Sequence, residues 1–90
     1  MVTVRIPTQL RTVTGGAGEA KVEGATVGEV LKALSAAHDG LAERIFDETG
    51  GLRRFVNVFL DDEDVRFLEG LDTPVSANQT VSIIPAVAGG

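Results

Sequence analysis

One amphipathic helix with a sharply marked start, set between stretches that alternate with period two, narrows what this chain can fold into. Thr26 is followed three residues later by Glu29, the spacing of a capping box, in which hydroxyl and carboxylate satisfy amides that a helix start leaves unpaired. The helix should begin at Val27. Apolar residues recur at Val27, Val30, Leu31, Leu34 and Leu41, with Glu29, Lys32 and Ser35 on the other face, so one stripe needs a covering layer. Gly40 should end the helix in the left-handed conformation that glycine tolerates. His38 then falls in the last turn, where the carbonyl end of the helix dipole favours a partly protonated imidazole.

The covering layer is a sheet. Val2, Val4 and Ile6 point one way and Thr3, Arg5 and Pro7 the other, the pattern of a strand with one buried face. Gly15-Gly16-Ala17-Gly18 should turn the chain back as a hairpin into Glu19 to Glu23, an antiparallel partner with Ala20 and Val22 on one side. Beyond the helix, Leu41, Ile45 and Phe46 are spaced for a further helical turn, short and loosely held, which Gly50-Gly51 breaks. Phe55 to Leu60 reads as the central strand, with Val56, Val58 and Leu60 on one face and Phe55, Asn57 and Phe59 on the other.

The acidic run Asp61 to Asp64 reads as a solvated hairpin turn before a short strand at Val65 to Phe67. It lacks the spacing and distal glutamate of a calcium loop. Leu68 to Val75, holding Gly70 and Pro74, should be an irregular connection. Thr80 to Ile84 is the last strand, with Val81 and Ile83 inward, Ser82 and Ile84 outward, and Pro85 halting the pairing. Two strands, a helix and strands again describe an α+β domain with the helix packed across an open sheet.

Composition excludes most chemistry. Ninety residues build one small core, and zero cysteines rule out disulfides, thiolate metal sites, iron–sulfur clusters and a cysteine nucleophile. His38 stands alone as the only histidine, so no imidazole metal site is expected either. With 13 acidic against 8 basic residues, the net charge of -5 opposes phosphate backbones and anionic membranes. The same charge leads one to expect basic surfaces on partners. Met1 to Pro7 is no signal peptide and no stretch is long enough to span a bilayer, so the expectation is a cytoplasmic protein with no nucleic acid and no membrane as partner. Ser35, Ser76 and Ser82 lack a nucleophile-elbow context, and the glycine turn lacks the ending of a phosphate-binding loop. No catalytic residue, metal or bound cofactor is expected.

What remains unusual is the end of the chain. Residues 1–85 read as the folded domain and 86–90 as a flexible tail, Ala86-Val87-Ala88-Gly89-Gly90. Fully extended, five residues reach about 17 Å, and glycine backbone without Cβ threads a narrow tunnel. Val87, Ala88, Gly89 and Gly90 are therefore candidates for threading into another protein, with the Gly90 carboxylate at the reacting end.

The segments Asp61-Asp62-Glu63-Asp64-Val65-Arg66-Phe67 and Ser82-Ile83-Ile84-Pro85-Ala86-Val87-Ala88-Gly89-Gly90 carry a resemblance that extends over nearly the whole chain. The sequence resembles the ubiquitin-like sulfur carriers of the ThiS/MoaD family. The long Gly40 to Arg54 connection sets it apart from the molybdopterin-synthase subunits and makes it more similar to the cysteine-pathway members. The resemblance implies a β-grasp fold, a mixed sheet of about five strands with one main helix across it. It also implies that Gly90 is adenylated, with ATP as the substrate of a ubiquitin-activating-type adenylyltransferase and sulfurtransferase, and then converted to a thiocarboxylate. A sulfur-acceptor enzyme, cysteine synthase-like or thiazole synthase-like, would take the sulfur. No side chain of the carrier need be catalytic. Gly90 is already last, so no processing is expected, and the carrier alone is expected to be monomeric.

Such a carrier must dock. The outward face presents Pro7, Phe55, Phe59 and Ile84 as an apolar group leading to Pro85, with Arg5 and Arg66 at its rim. By resemblance, this face next to the tail is where partners bind. Two other fates suit the same tail: service to a molybdopterin-type enzyme, or isopeptide attachment of Gly90 to a lysine, as in a protein modifier.

Overall fold

The computed structural model describes residues 1–54 and 56–85. Five strands, β1 (Val2–Arg5), β2 (Glu19–Val22), β3 (Val56–Leu60), β4 (Glu63–Asp64) and β5 (Thr80–Pro85), form one sheet in the order β2-β1-β5-β3-β4. The central pair β1 and β5 is parallel and the other pairs are antiparallel. The helix α1 (Val27–Ala37) lies across the sheet, followed by the short α2 (Leu41–Ile45). This is the mixed β-grasp arrangement expected.

Alternation decides the faces. Val2, Val4, Ile6, Val56, Val58, Leu60, Val81 and Ile83 are all buried and join one cluster with Val27, Val30, Leu31 and Leu34 of α1. Each such side chain contributes about 1.5–3 kcal/mol relative to exposure, so a one-residue slip of any strand would be strongly opposed. The helix starts where the cap dictates. Thr26 Oγ1 accepts from the Glu29 N–H at 3.2 Å and lies 3.3 Å from Glu29 Oε2, to which its hydroxyl donates.

Several local expectations are corrected. The helix α1 stops at Ala37; His38 is extended, with φ −136°, and closes the last turn only through its N–H to the Ser35 carbonyl. Gly40 is left-handed, with φ 86°, yet it opens α2 and does not end α1. Leu41 therefore belongs to the second helix. That segment is not loosely held, because Leu41 and Ile45 are both 0% exposed. The turn at Gly40 redirects the chain so that five residues can add two aliphatic side chains to the same core.

The loop after α2 is organised by Asp47, whose Oδ1 accepts from the Thr49 hydroxyl at 2.6 Å, the Thr49 N–H at 2.9 Å and the Gly51 N–H at 3.2 Å. These bonds hold its carboxyl below the ordinary carboxylate range, the Thr49 hydroxyl foremost and the Arg53 charge adding least. A bridge between Phe46 and Leu52 closes the loop.

The connection between β1 and β2 is longer than a tight hairpin. It carries a 3-10 turn at Thr8–Leu10 that buries Leu10, and the left-handed Gly15 and Gly16 bring the chain back. After β3, the acidic run does form a turn, but no strand follows at Val65 to Phe67, which is a 3-10 turn. Its strand is β4 inside the run itself. Asp64 Oδ1 accepts the Arg66 N–H at 2.9 Å, an N-cap that coils the chain away from the sheet edge. Leu68 to Val75 is irregular apart from a 3-10 turn at Gly70–Asp72, and is tied to the start of α1 by the Val27 N–H to the Thr73 carbonyl. The strand β5 runs one residue further than expected, with Pro85 opposite Val56. A proline at the last rung keeps its carbonyl and only lacks a donor.

Candidate docking face and root of the tail

The strand that leads into the tail is central. β5 is held by β1 along Thr80 to Ser82 and by β3 along Val81 to Pro85, so residue 85 is its last rung, paired with Val56 of β3. The tail itself, Ala86, Val87, Ala88, Gly89 and Gly90, lies outside the described residues, as does Phe55.

Around the root, the outward residues of three strands come together. Ile84 is 46% exposed and stands opposite Asn57 on β3. Phe59, half-buried, pairs with Ser82 two rungs further from the tail. On the other side of β5, Pro7 and Ile84 line one shallow groove of about 430 Å³, together with Arg5 and Arg11. Pro7, Phe59 and Ile84 thus share the surface that leads to Pro85.

Arg66 is placed differently from a projecting rim charge. Its Nη1 donates to Asn57 Oδ1 at 2.9 Å, and its Nη2 donates to the carbonyls of Val56 at 2.7 Å and Arg53 at 3.2 Å. The guanidinium fork therefore pins the 3-10 turn at Val65–Phe67 to the end of β3 and orients the Asn57 amide beside Ile84. Asn57 is a face residue that period two placed outward without giving it a role. Phe67, the next residue along the pinned turn, is 87% exposed. The expectation of a strand concealed it, since a strand residue would have shared its exposure with neighbours.

At the far end of β5, Asp61 is the one described non-glycine residue with positive φ, 55°. Its Oδ1 accepts the Thr80 N–H at 3.0 Å and its Oδ2 accepts Gln79 Nε2 at 3.2 Å, while its own N–H donates to the Thr80 carbonyl at 2.8 Å. Half of the acidic run is thereby explained by local structure: Asp61 latches β3 to β5, and Asp64 caps a turn. Among the described residues, no group of three metal-ligating side chains is present and no helix is long and apolar enough to cross a membrane. The arrangement offers an apolar and arginine-bearing surface at the root of a glycine-ended tail.

Comparison with known proteins decides the family. The model of the ThiS family matches residues 4–90. This chain belongs to the ThiS family. Sulfur carrier protein CysO of Mycobacterium tuberculosis (strain ATCC 25618 / H37Rv) is 48% identical over 91 residues, covering 99% of this chain and 98% of the relative. The crystal structure of the Amycolatopsis orientalis BexX/CysO complex contains a chain that superposes with a TM-score of 0.93 at 48% identity, with 100% of both chains covered. Small archaeal modifier protein 3 of Haloferax volcanii is 42% identical over 66 residues, 73% of this chain and 71% of that one. The chain is thus a CysO-like, ubiquitin-like β-grasp member of a ThiS/MoaD family of small sulfur carriers and modifiers. A CysO-type relative is known in complex with a partner, BexX.

Proposed function

We propose that this ThiS-family chain carries sulfur as a thiocarboxylate on Gly90 and delivers it to an acceptor enzyme of cysteine biosynthesis. The observation that carries the reading is full-length similarity to CysO, tail included, joined to a β5 that delivers the tail from the centre of the sheet. A carboxylate resists nucleophiles because its charge must first be overcome. In the proposed sequence, a Gly90 carboxylate oxygen attacks the α-phosphorus of ATP on an activating-type adenylyltransferase, and pyrophosphate leaves. Hydrosulfide, or the sulfur a sulfurtransferase supplies in its place, then attacks the acyl carbon and AMP leaves. The resulting thiocarboxylate forms a bond through sulfur to the β-carbon of an activated serine, whose side-chain oxygen leaves with its activating group, and hydrolysis of the acyl–sulfur link releases the thiol product and restores the Gly90 carboxylate. The carrier contributes position, through Pro7, Phe59, Ile84 and Pro85 at the docking face, and no catalytic side chain. It binds no cofactor in this reading, ATP being the partner's substrate, and works in the cytoplasm.

Intact mass spectrometry after incubation with ATP, sulfide and a family activating enzyme is the direct test. Exchange of one oxygen for sulfur, lost on deletion of Gly90, is the expected result. Partner function that survives the deletion overturns it. The likeness to an archaeal modifier protein favours one second reading, attachment of Gly90 to a lysine. Conjugates that survive reducing agent, with no thiocarboxylate formed, are its signature.

A further inference from the structure

Two shallow grooves open on the outer face of the sheet, and they share Arg5 and Ser82. The groove at the tail root adds Arg11, Thr8, Gln9 and Ile84, and none of the described residues lining it is a carboxylate. The groove at the opposite end, about 370 Å³, adds Glu19, Asp61 and Asp62. Both are built features. Arg11 is held by Nε donating to the Ile6 carbonyl at 3.2 Å, over Gly18, where an added Cβ would come within 3.2 Å of the guanidinium. Asp61 is held by its bonds to Thr80 and Gln79.

The two grooves meet at Arg5, whose cross-strand partner is Glu19, and diverge towards their ends. Four strand steps from Thr80 to Ile84 span about 13 Å, more than the Debye length of about 8 Å at physiological ionic strength. A partner at the Ile84 end therefore meets Arg11, which lines the tail-root groove alone, ahead of Asp61 and Asp62, while Arg5 is shared with the acidic groove. Arg66, on the β3 side of the root, adds a third guanidinium there. The net charge of -5 describes neither groove.

We propose that the tail-end groove receives carboxylates from an acidic surface surrounding the partner's tail channel, so that charge orients the carrier tail-first. This rests on the reading that the tail enters a partner, and it reverses locally the basic surface that net charge alone leads one to expect. Charge complementarity names the occupant: a protein surface rich in Asp and Glu, since arginine forks bind carboxylates bidentately.

The test measures association of the full-length chain with BexX, the protein found with Amycolatopsis CysO, over a series of salt concentrations. Arg11→Glu should slow association roughly tenfold at low salt, Arg11→Gln by less, and the differences should vanish as salt rises. Asp62→Lys, at the far groove, should change the rate by no more than about twofold. Thermal unfolding of each variant keeps a folding defect apart from a docking defect. Faster association for Arg11→Glu, an equal and opposite effect of Asp62→Lys, or no association at low salt overturns the proposal. The mass assay for the thiocarboxylate is read separately. Sulfur loading with salt-insensitive docking removes only the acidic collar, whereas salt-steered docking without sulfur loading removes only the carrier reading.

Discussion

The two faces of one sheet are made by alternate residues of the same strands, yet they answer to different demands. On β3 and β5, Val58, Val81 and Ile83 are buried at 0–2% exposure, while their neighbours Asn57, Phe59 and Ser82 are half-buried and Ile84 is open. The inner face is uniformly aliphatic because α1 covers it and any polar group there would lose water without compensation. The outer face mixes Arg5, Ser82, Phe59 and Asn57, which folding alone does not require. The difference teaches that the half of each strand left free by the core is where a small domain of this family has room to encode partner choice.

The sharpest way to break this division is from the inside. Leu31→Ala should cost about 2–5 kcal/mol of unfolding free energy by denaturant titration, because Leu31 is wholly buried under the sheet. On the docking proposed above, the folded variant should bind BexX as the unaltered chain does. On the outer face the balance should invert: Ile84→Asp should change stability by less than about 1 kcal/mol. It should weaken binding to BexX by about 2 kcal/mol, the scale of an interface hot spot. Equal losses of stability for the two variants would erase the distinction between faces.

The smallest effect lies away from both faces, at Asp47. Its carboxyl is held below the ordinary value in the folded chain, so the stabilisation is present above the unfolded value of 3.8 and is lost as pH falls through the lower folded value. Asp47→Asn should flatten the acid limb of the stability profile below pH 4 or so, with no change in BexX binding at neutral pH. A parallel acid limb in the variant would remove Asp47 as its source.

Much of this was legible in the residues. Thr26 and Glu29 located the start of α1, and alternation placed the buried residues of β1, β3 and β5, Val2, Val4, Val56, Val58, Leu60, Val81 and Ile83, on their observed face. Both signals are local, a cap satisfied within one turn and a pleat of period two. The misreadings came where a single residue decided between conformers that the pattern left equal. Asp64 capping Arg66 turned an expected strand into a 3-10 turn, and the left-handed Gly40 gave Leu41 and Ile45 a helix and a buried place of their own.

By itself, then, the sequence determined which residues of β1, β3, β5 and α1 face the core, where the helix begins, and the family whose tail this chain shares. Those follow from periodicity and from short-range hydrogen bonding, which one stretch of chain contains completely. Only the tertiary structure decided that β1 and β5 run parallel at the centre, that Arg66 reaches back to Val56 and Asn57, and that Arg11 lines one groove while Glu19, Asp61 and Asp62 line another. Residues far apart in sequence meet there, and a net charge is a sum that carries no position.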